Sequence, residues 1–169
     1  MSKNANNYAY IDGQNLNLGI QSLGWKLDYR KFRIYLAEKY NVKICYLFLG
    51  YIPENQGLYT SLQRKGYIIK FKPIIIGLDG KHKGNIDADM VLQIIVDFYE
   101  RSFAKAILIT SDGDFYSVVK FLNQNKQLEK VLSPYFDSCS TLLKRTAQEK
   151  ISFMNNLRAK LEYKKKNTA

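Results

Sequence analysis

Cysteine, histidine and long apolar runs are what this chain has least of. It holds two cysteines, Cys45 and Cys139, and one histidine, His82. No C-x-x-C spacing and no Cys/His cluster can be built from these, which argues against a zinc site and against a disulfide framework, and a reducing compartment fits. No stretch approaches the roughly 18 apolar residues needed to span a bilayer. The N-terminus, Met1 to Asn7, is polar and leads into a strand carrying Asp12, unlike the basic-then-apolar pattern of a signal peptide. The chain is therefore expected to be soluble and cytoplasmic, without a membrane partner. Acidic residues are also in deficit: 15 Asp and Glu stand against 26 Lys and Arg, a net charge of +11. Such an excess points to a polyanionic partner, nucleic acid or an anionic surface. Thirteen tyrosines and nine phenylalanines tilt that towards nucleic acid, because cations interleaved with aromatic faces suit unstacked bases, although most aromatics serve the core.

What is present is an alternation of strand-like and helix-like segments in 169 residues, a length suited to one domain. Short apolar runs at Tyr8 to Ile11, Val42 to Tyr51, Tyr67 to Ile76, Lys105 to Ile109 and Leu128 to Leu132 read as strands. Val42 to Tyr51 reads as a central strand, and as core in preference to a surface for a homodimer. Lys70 and Lys72 make one side of the Tyr67 to Ile76 strand wet or edge-like. Leu16 to Gly24 reads as a helical or irregular segment, and helices are expected over Trp25 to Tyr40 with Asp28 as cap, over Gln56 to Lys65 with Leu58, Tyr59 and Leu62 inward, and over Phe115 to Asn125. The clearest helix follows Asn85, with Ile86, Met90, Val91, Ile94, Ile95 and Phe98 as an apolar stripe. Ser138 to Met154 reads as a last helix or pair of helices. Gly77 to Gly84 reads as a mobile basic loop, and the lysine-rich segment 157–169 as a solvated or disordered tail beyond a domain at 1–156. Alternation of this kind implies an α/β fold, a three-layer α/β/α sandwich around a mainly parallel sheet.

Two strand ends stand out. Ala106 to Ile109 stops at Thr110-Ser111 and delivers Asp112 and Asp114 around Gly113; Tyr8 to Ile11 stops at Asp12-Gly13-Gln14-Asn15. Helix capping explains one such loop, but two suggest a site, since ligands in open α/β sheets bind beyond the carboxyl ends of strands where the strand order reverses. Asp87, in the first turn of its helix, is the third contributor. Asp89, about 200° away around the axis, cannot face the same way. Carboxylates brought within a few Å repel, and either raise one another's pKa or are held together by a cation. An oxygen-only donor set favours Mg²⁺ or Mn²⁺ over zinc, and such ions serve phosphoryl chemistry. No histidine lies beside these loops and there is no Ser-His or Cys-His pair, so a metal-free nucleophile has little to work with. A phosphatase is disfavoured because the first loop lacks the second aspartate of an Asp-x-Asp pair. Asn15 is expected either to orient a water or to cap the segment after it, and Lys81 and Lys83 to hold phosphates.

Ile11-Asp12-Gly13-Gln14-Asn15-Leu16, Lys83-Gly84-Asn85-Ile86-Asp87 and Thr110-Ser111-Asp112-Gly113-Asp114-Phe115 resemble, in order, the three signatures of the NYN domain, the LabA-like branch of the PIN-like nucleases. The resemblance spans about residues 7 to 136. It implies a PIN-like, Rossmann-like topology, a Mg²⁺- or Mn²⁺-dependent ribonuclease activity, and a catalytic and metal-binding set of Asp12, Asp87, Asp112 and Asp114; the leading expectation is an endoribonuclease acting on single-stranded or locally unpaired RNA. Asn15 matches the motif's asparagine, and Ser111 stands where many members carry a Ser-Gly before the aspartate; Asn15, Ser111, Lys81 and Lys83 are the expected substrate contacts. RNA is a more natural partner than DNA on this reading. The alternative in another class is a non-catalytic nucleic-acid-binding or regulatory module on the same fold.

Overall fold

The computed structural model describes residues 6–72, 75–76, 78–79, 82–83 and 86–166. Strand β1 (Asn7–Asp12) runs straight into helix α1 (Gly13–Ser22), and α2 (Tyr29–Tyr40) returns the chain to β2 (Val42–Gly50). Asp28 caps α2 by accepting hydrogen bonds from Arg30 N and Lys31 N, and Asn41 in the left-handed conformation (φ 53°) ends it. Next come α3 (Gln56–Arg64), β3 (Ile68–Lys72), the short strands β4 (Ile75–Ile76) and β5 (His82–Lys83), and α4 (Ile86–Tyr99). The second half is β6 (Ala106–Ile109), α5 (Tyr116–Gln124), β7 (Leu128–Ser133), α6 (Thr141–Ala147), β8 (Ile151–Phe153) and α7 (Arg158–Leu161).

Six strands pair in the order β3-β2-β1-β6-β7-β8, every pair parallel, while β4 and β5 form a separate antiparallel pair. Alternation along the strands divides the core in two. Ala9, Ile11, Cys45, Leu47, Ile107 and Ile109 meet Leu16 and Ile20 of α1 and Phe32, Tyr35 and Leu36 of α2 on one face. Tyr10, Phe48, Ala106, Leu108 and Val131 meet Met90 and Ile94 of α4, Val118, Val119 and Leu122 of α5 and Leu143 of α6 on the other. Sheet strands buried on both faces read as continuous apolar runs, which is why β2 and β6 are conspicuous in the sequence. β2 lies between β1 and β3 and its Cys45 and Leu47 are fully buried, so it is core. Both cysteines are free thiols in buried positions, and burial pushes each thiol pKa up, Cys45 to about 12.

Four expectations are corrected. The strand expected over Tyr67 to Ile76 ends at Lys72, and β4 pairs with β5 instead of continuing the sheet edge, which β3 forms with Ile68 and Phe71 exposed. Leu58 is exposed, because α3 lies at that edge and turns only Tyr59 and Leu62 inward. The segment Ser138 to Met154 holds one helix, a 3-10 turn and the sixth sheet strand, whose three residues are too few to show a period of two. The segment after residue 156 is folded through Tyr163: Leu161 is fully buried in the core beside α2, Asp28 N donates to Leu161 O (2.8 Å), Tyr163 N donates to Lys26 O (2.8 Å), and Lys31 Nζ donates to Glu162 O (2.9 Å). Of the loop read at Gly77 to Gly84, residues 78–79 and 82–83 are described, the latter pair as β5, and the rest lies outside the described residues.

Leu161 therefore acts as a core residue. Leu161→Ala should lower unfolding free energy by about 2–5 kcal/mol, and truncation after residue 156 should cost at least as much. Urea denaturation checks this; an unchanged midpoint in both would return the segment to a solvated tail.

Candidate metal centre

The chain runs outward from β1 to β2 and β3 on one side and takes up β6, β7 and β8 on the other, so the strand order reverses between β1 and β6. Asp12 ends β1 at that point and Asp112 follows β6 there. Asp87, in the first turn of α4, faces the same place, and carboxylate oxygens of Asp12, Asp87 and Asp112 lie within 4.8 Å of one another. Helix α4 is secured to β1 by more than packing: Tyr10 Oη donates to Asp97 Oδ2 (2.7 Å), and Gln93 Nε2 donates to Asp97 Oδ1 (3.0 Å), in a carboxylate 4% exposed. That bond fixes the helix whose first turn presents Asp87.

The strand-end loops are tied to each other. Asp12 Oδ1 accepts from Asn15 N (3.2 Å), capping α1, and Oδ2 accepts from Thr110 Oγ1 (3.5 Å). Thr110 Oγ1 in turn accepts from Asp112 N (3.1 Å), and Asp112 Oδ1 from Asp114 N (2.9 Å). Capping and clustering are thus compatible. The start of α1 and the 3-10 turn that opens α5 both aim backbone N–H groups at these carboxylates, which partly offsets their repulsion. Gly13 allows the close approach: a Cβ there would meet Phe48 O of β2 at 2.8 Å and the Leu49 side chain.

The expected site residues divide into four groups. Asp12, Asp87 and Asp112 converge. Asp114 is exposed and lies outside that compact set, and Asp89 is exposed on α4. Asn15 and Ser111 sit underneath: Asn15 Oδ1 accepts from Ser111 N (2.7 Å), and the Ser111 hydroxyl shares a hydrogen bond with Ser133 Oγ (2.8 Å) in a residue 3% exposed. Asn15 neither caps α1, which Asp12 does, nor faces open solvent with its oxygen; it joins the two loops. Lys81 lies outside the described residues, and Lys83 is placed only by its backbone in β5.

Two residues were not anticipated. Thr110 bridges both aspartate loops, and its signal was a hydroxyl directly after the apolar run of β6. Lys72, at the end of β3, has its Nζ buried without a hydrogen-bond partner among the described residues, and its charge draws the Asp87 carboxyl downward. In the sequence it was one of two alternating lysines with nothing to mark it.

The electrostatics follow the geometry. Burial raises the Asp87 pKa to about 6, helped by the charges of Asp112, Asp12 and Asp114. Burial also raises that of Asp12, with Asp112 adding to it and the bond from Asn15 N opposing. Three carboxylates and no nitrogen or sulfur donor make a hard oxygen site, the donor chemistry of Mg²⁺ and Mn²⁺. Asp12, Asp87 and Asp112 are the residues that would hold such an ion.

A carboxyl whose folded pKa is raised binds its proton more tightly folded than unfolded. Its stabilising effect is complete below about pH 4, the unfolded value, and is lost as pH rises through about 6. A carbon-13 carboxyl titration of the metal-free protein should give Asp87 a midpoint near 6. Asp112→Asn should move it down and make the metal-free protein more stable at neutral pH; an ordinary aspartate midpoint in the wild type would contradict this.

The NYN domain family matches residues 8–155. The low amplitude and bright protein LabA of Synechococcus elongatus is 24% identical, the match covering 90% of this chain and 86% of LabA. A crystal structure of a Vibrio parahaemolyticus protein of unknown function superposes with a TM-score of 0.74 at 23% identity, over 92% of this chain and 97% of that one, which establishes the shared fold. Together with the acidic strand ends at the reversal between β1 and β6, the match over nearly the whole chain makes this protein a member of the NYN domain family, within the PIN-like nucleases.

Proposed function

We propose that this protein is an endoribonuclease that hydrolyses phosphodiester bonds of single-stranded or locally unpaired RNA, with Mg²⁺ or Mn²⁺ held by Asp12, Asp87 and Asp112. The observation that carries the reading is the convergence of three carboxylates at the end of the sheet in a chain of net charge +11. A divalent cation bound there supplies Lewis-acid stabilisation for the charge that builds on the phosphate during hydrolysis.

The remaining roles belong to the chain. Asn15 N and Thr110 Oγ1 hold the Asp12 carboxylate in one orientation, and the Tyr10–Asp97 bond holds α4 so that Asp87 does not drift. Asp114, exposed two residues after Asp112, would orient the attacking water and accept its proton as the new P–O bond forms and the P–O bond to the leaving oxygen breaks. No helix among the described residues is long and apolar enough to cross a membrane.

Cleavage of an end-labelled single-stranded RNA with Mn²⁺, with Mg²⁺ and with EDTA tests the reading. Cutting should require metal, and Asp112→Asn should reduce it at least about 100-fold, the range associated with losing one preorganised electrostatic group. Asp114→Asn should lower kcat more than it raises KM. Absence of cutting with salt-sensitive RNA binding retained would make the protein a nucleic-acid-binding module, and activity surviving Asp112→Asn would place the chemistry elsewhere.

A further inference from the structure

Helices α5 and α6 pack side by side on one face of the sheet and leave between them a groove of about 410 Å³. Helical spacing puts Tyr116, Lys120 and Gln124 along its α5 wall, and Leu142, Arg145 and Thr146 along its α6 wall. One end of the groove follows the metal centre directly along the chain: Tyr116 opens α5 immediately after the turn that carries Asp112 and Asp114, and it is 41% exposed. From there to Gln124 the helix rises about 12 Å.

The lining contains no carboxylate. Lys120 and Arg145 are exposed and have no carboxylate partner among the described residues, where the ion pairs are Lys105 with Glu129 and Arg158 with Glu162. Lys150 Nζ donates to Asn123 Oδ1 (2.9 Å) and adds a third cation along the same wall. Next to a site whose carboxylates repel phosphate, unpaired cations in a row with a bare aromatic ring at the near end make a surface for a polyanion with flat faces. That is a single nucleic-acid strand, whose phosphates the cations neutralise and whose bases stack on a ring whatever their identity.

We propose that the α5–α6 groove binds the stretch of single-stranded RNA flanking the bond at the metal centre, with a base stacked on Tyr116 and backbone phosphates on Lys120 and Arg145. This rests on the nuclease reading for its direction, since the strand is drawn from the groove to the carboxylates, but the binding itself can be measured without cleavage. A second basic groove, lined by Arg30, Thr60, Ser61, Arg64 and Lys65, belongs to α2 and α3 against the other face of the sheet and serves as the control.

Fluorescence anisotropy with a labelled single-stranded oligoribonucleotide in EDTA isolates binding. Tyr116→Ala should weaken it roughly 5- to 100-fold, the range for loss of one stacked base. Lys120→Gln with Arg145→Gln should weaken it and reduce the slope of log affinity against log salt by about 1.4, near 0.7 for each phosphate contact on a single strand. Arg30→Gln with Arg64→Gln should have the smaller effect. All five positions are on the surface, and circular dichroism checks that each variant is folded. Equal affinity of the groove variants and wild type, a larger loss in the α2–α3 control, or no RNA binding by the wild type would each overturn the assignment. Weakened binding by the groove variants, together with no cleavage under Mn²⁺ by the wild type, would support the groove while removing the nuclease reading.

Discussion

Repulsion among Asp12, Asp87 and Asp112 is the constraint around which the rest of the molecule is arranged. Three carboxylates with oxygens inside 4.8 Å of one another, two of them with raised pKa, are unfavourable in the folded protein unless a cation joins them. They converge nonetheless, because three separate parts of the fold are each held against that force. β1 and β6 are paired in parallel register from Tyr8 with Ala106 to Ile11 with Ile109, which puts Asp12 and the Asp112 loop side by side. Thr110 stitches the two loops, and the buried Asp97 bonded to Tyr10 fixes α4 and with it Asp87.

This arrangement separates tasks that one residue could not combine. Asp12 and Asp112 cap the segments after them with one oxygen and still belong to the cluster, so the site is built from the same contacts that start α1 and α5. Asn15 and the buried Ser111 and Ser133 form a hydrogen-bonded floor that keeps the loops in register. Exposed groups are left for contact with a partner: Asp114 at the rim, then Tyr116, Lys120 and Arg145 leading away along α5 and α6. Lys72 is the exception, a cation kept indoors beside Asp87, where it relieves part of the repulsion.

Much of this is legible in sequence because parallel strands buried on both faces are dense and β-branched, and polar residues that end them are conspicuous. Ala106 to Ile109 followed by Thr-Ser-Asp-Gly-Asp, and Tyr8 to Ile11 followed by Asp-Gly-Gln-Asn, announce both the sheet and the loops. Contacts decided by distant partners are not announced. Leu157 and Leu161 are two apolar residues among lysines, and only the surface offered by α2 makes a core residue of the second. Ile151 to Phe153 becomes a strand because β7 is there to pair with it. Leu58 has the spacing of an inward residue, but α3 sits at the sheet edge with nothing to cover it. The inward ammonium of Lys72 and the bridging hydroxyl of Thr110 depend on three-dimensional neighbours far away in sequence.

The account stands on the claim that these carboxylates are gathered to hold a divalent cation. Electron paramagnetic resonance of Mn²⁺ titrated into the protein at neutral pH measures it directly, since bound ion loses the sharp signal of free Mn²⁺. Saturable, stoichiometric binding that Mg²⁺ displaces and that Asp12→Asn and Asp112→Asn each abolish is the predicted result. No saturable binding, or binding that both variants retain, would contradict it.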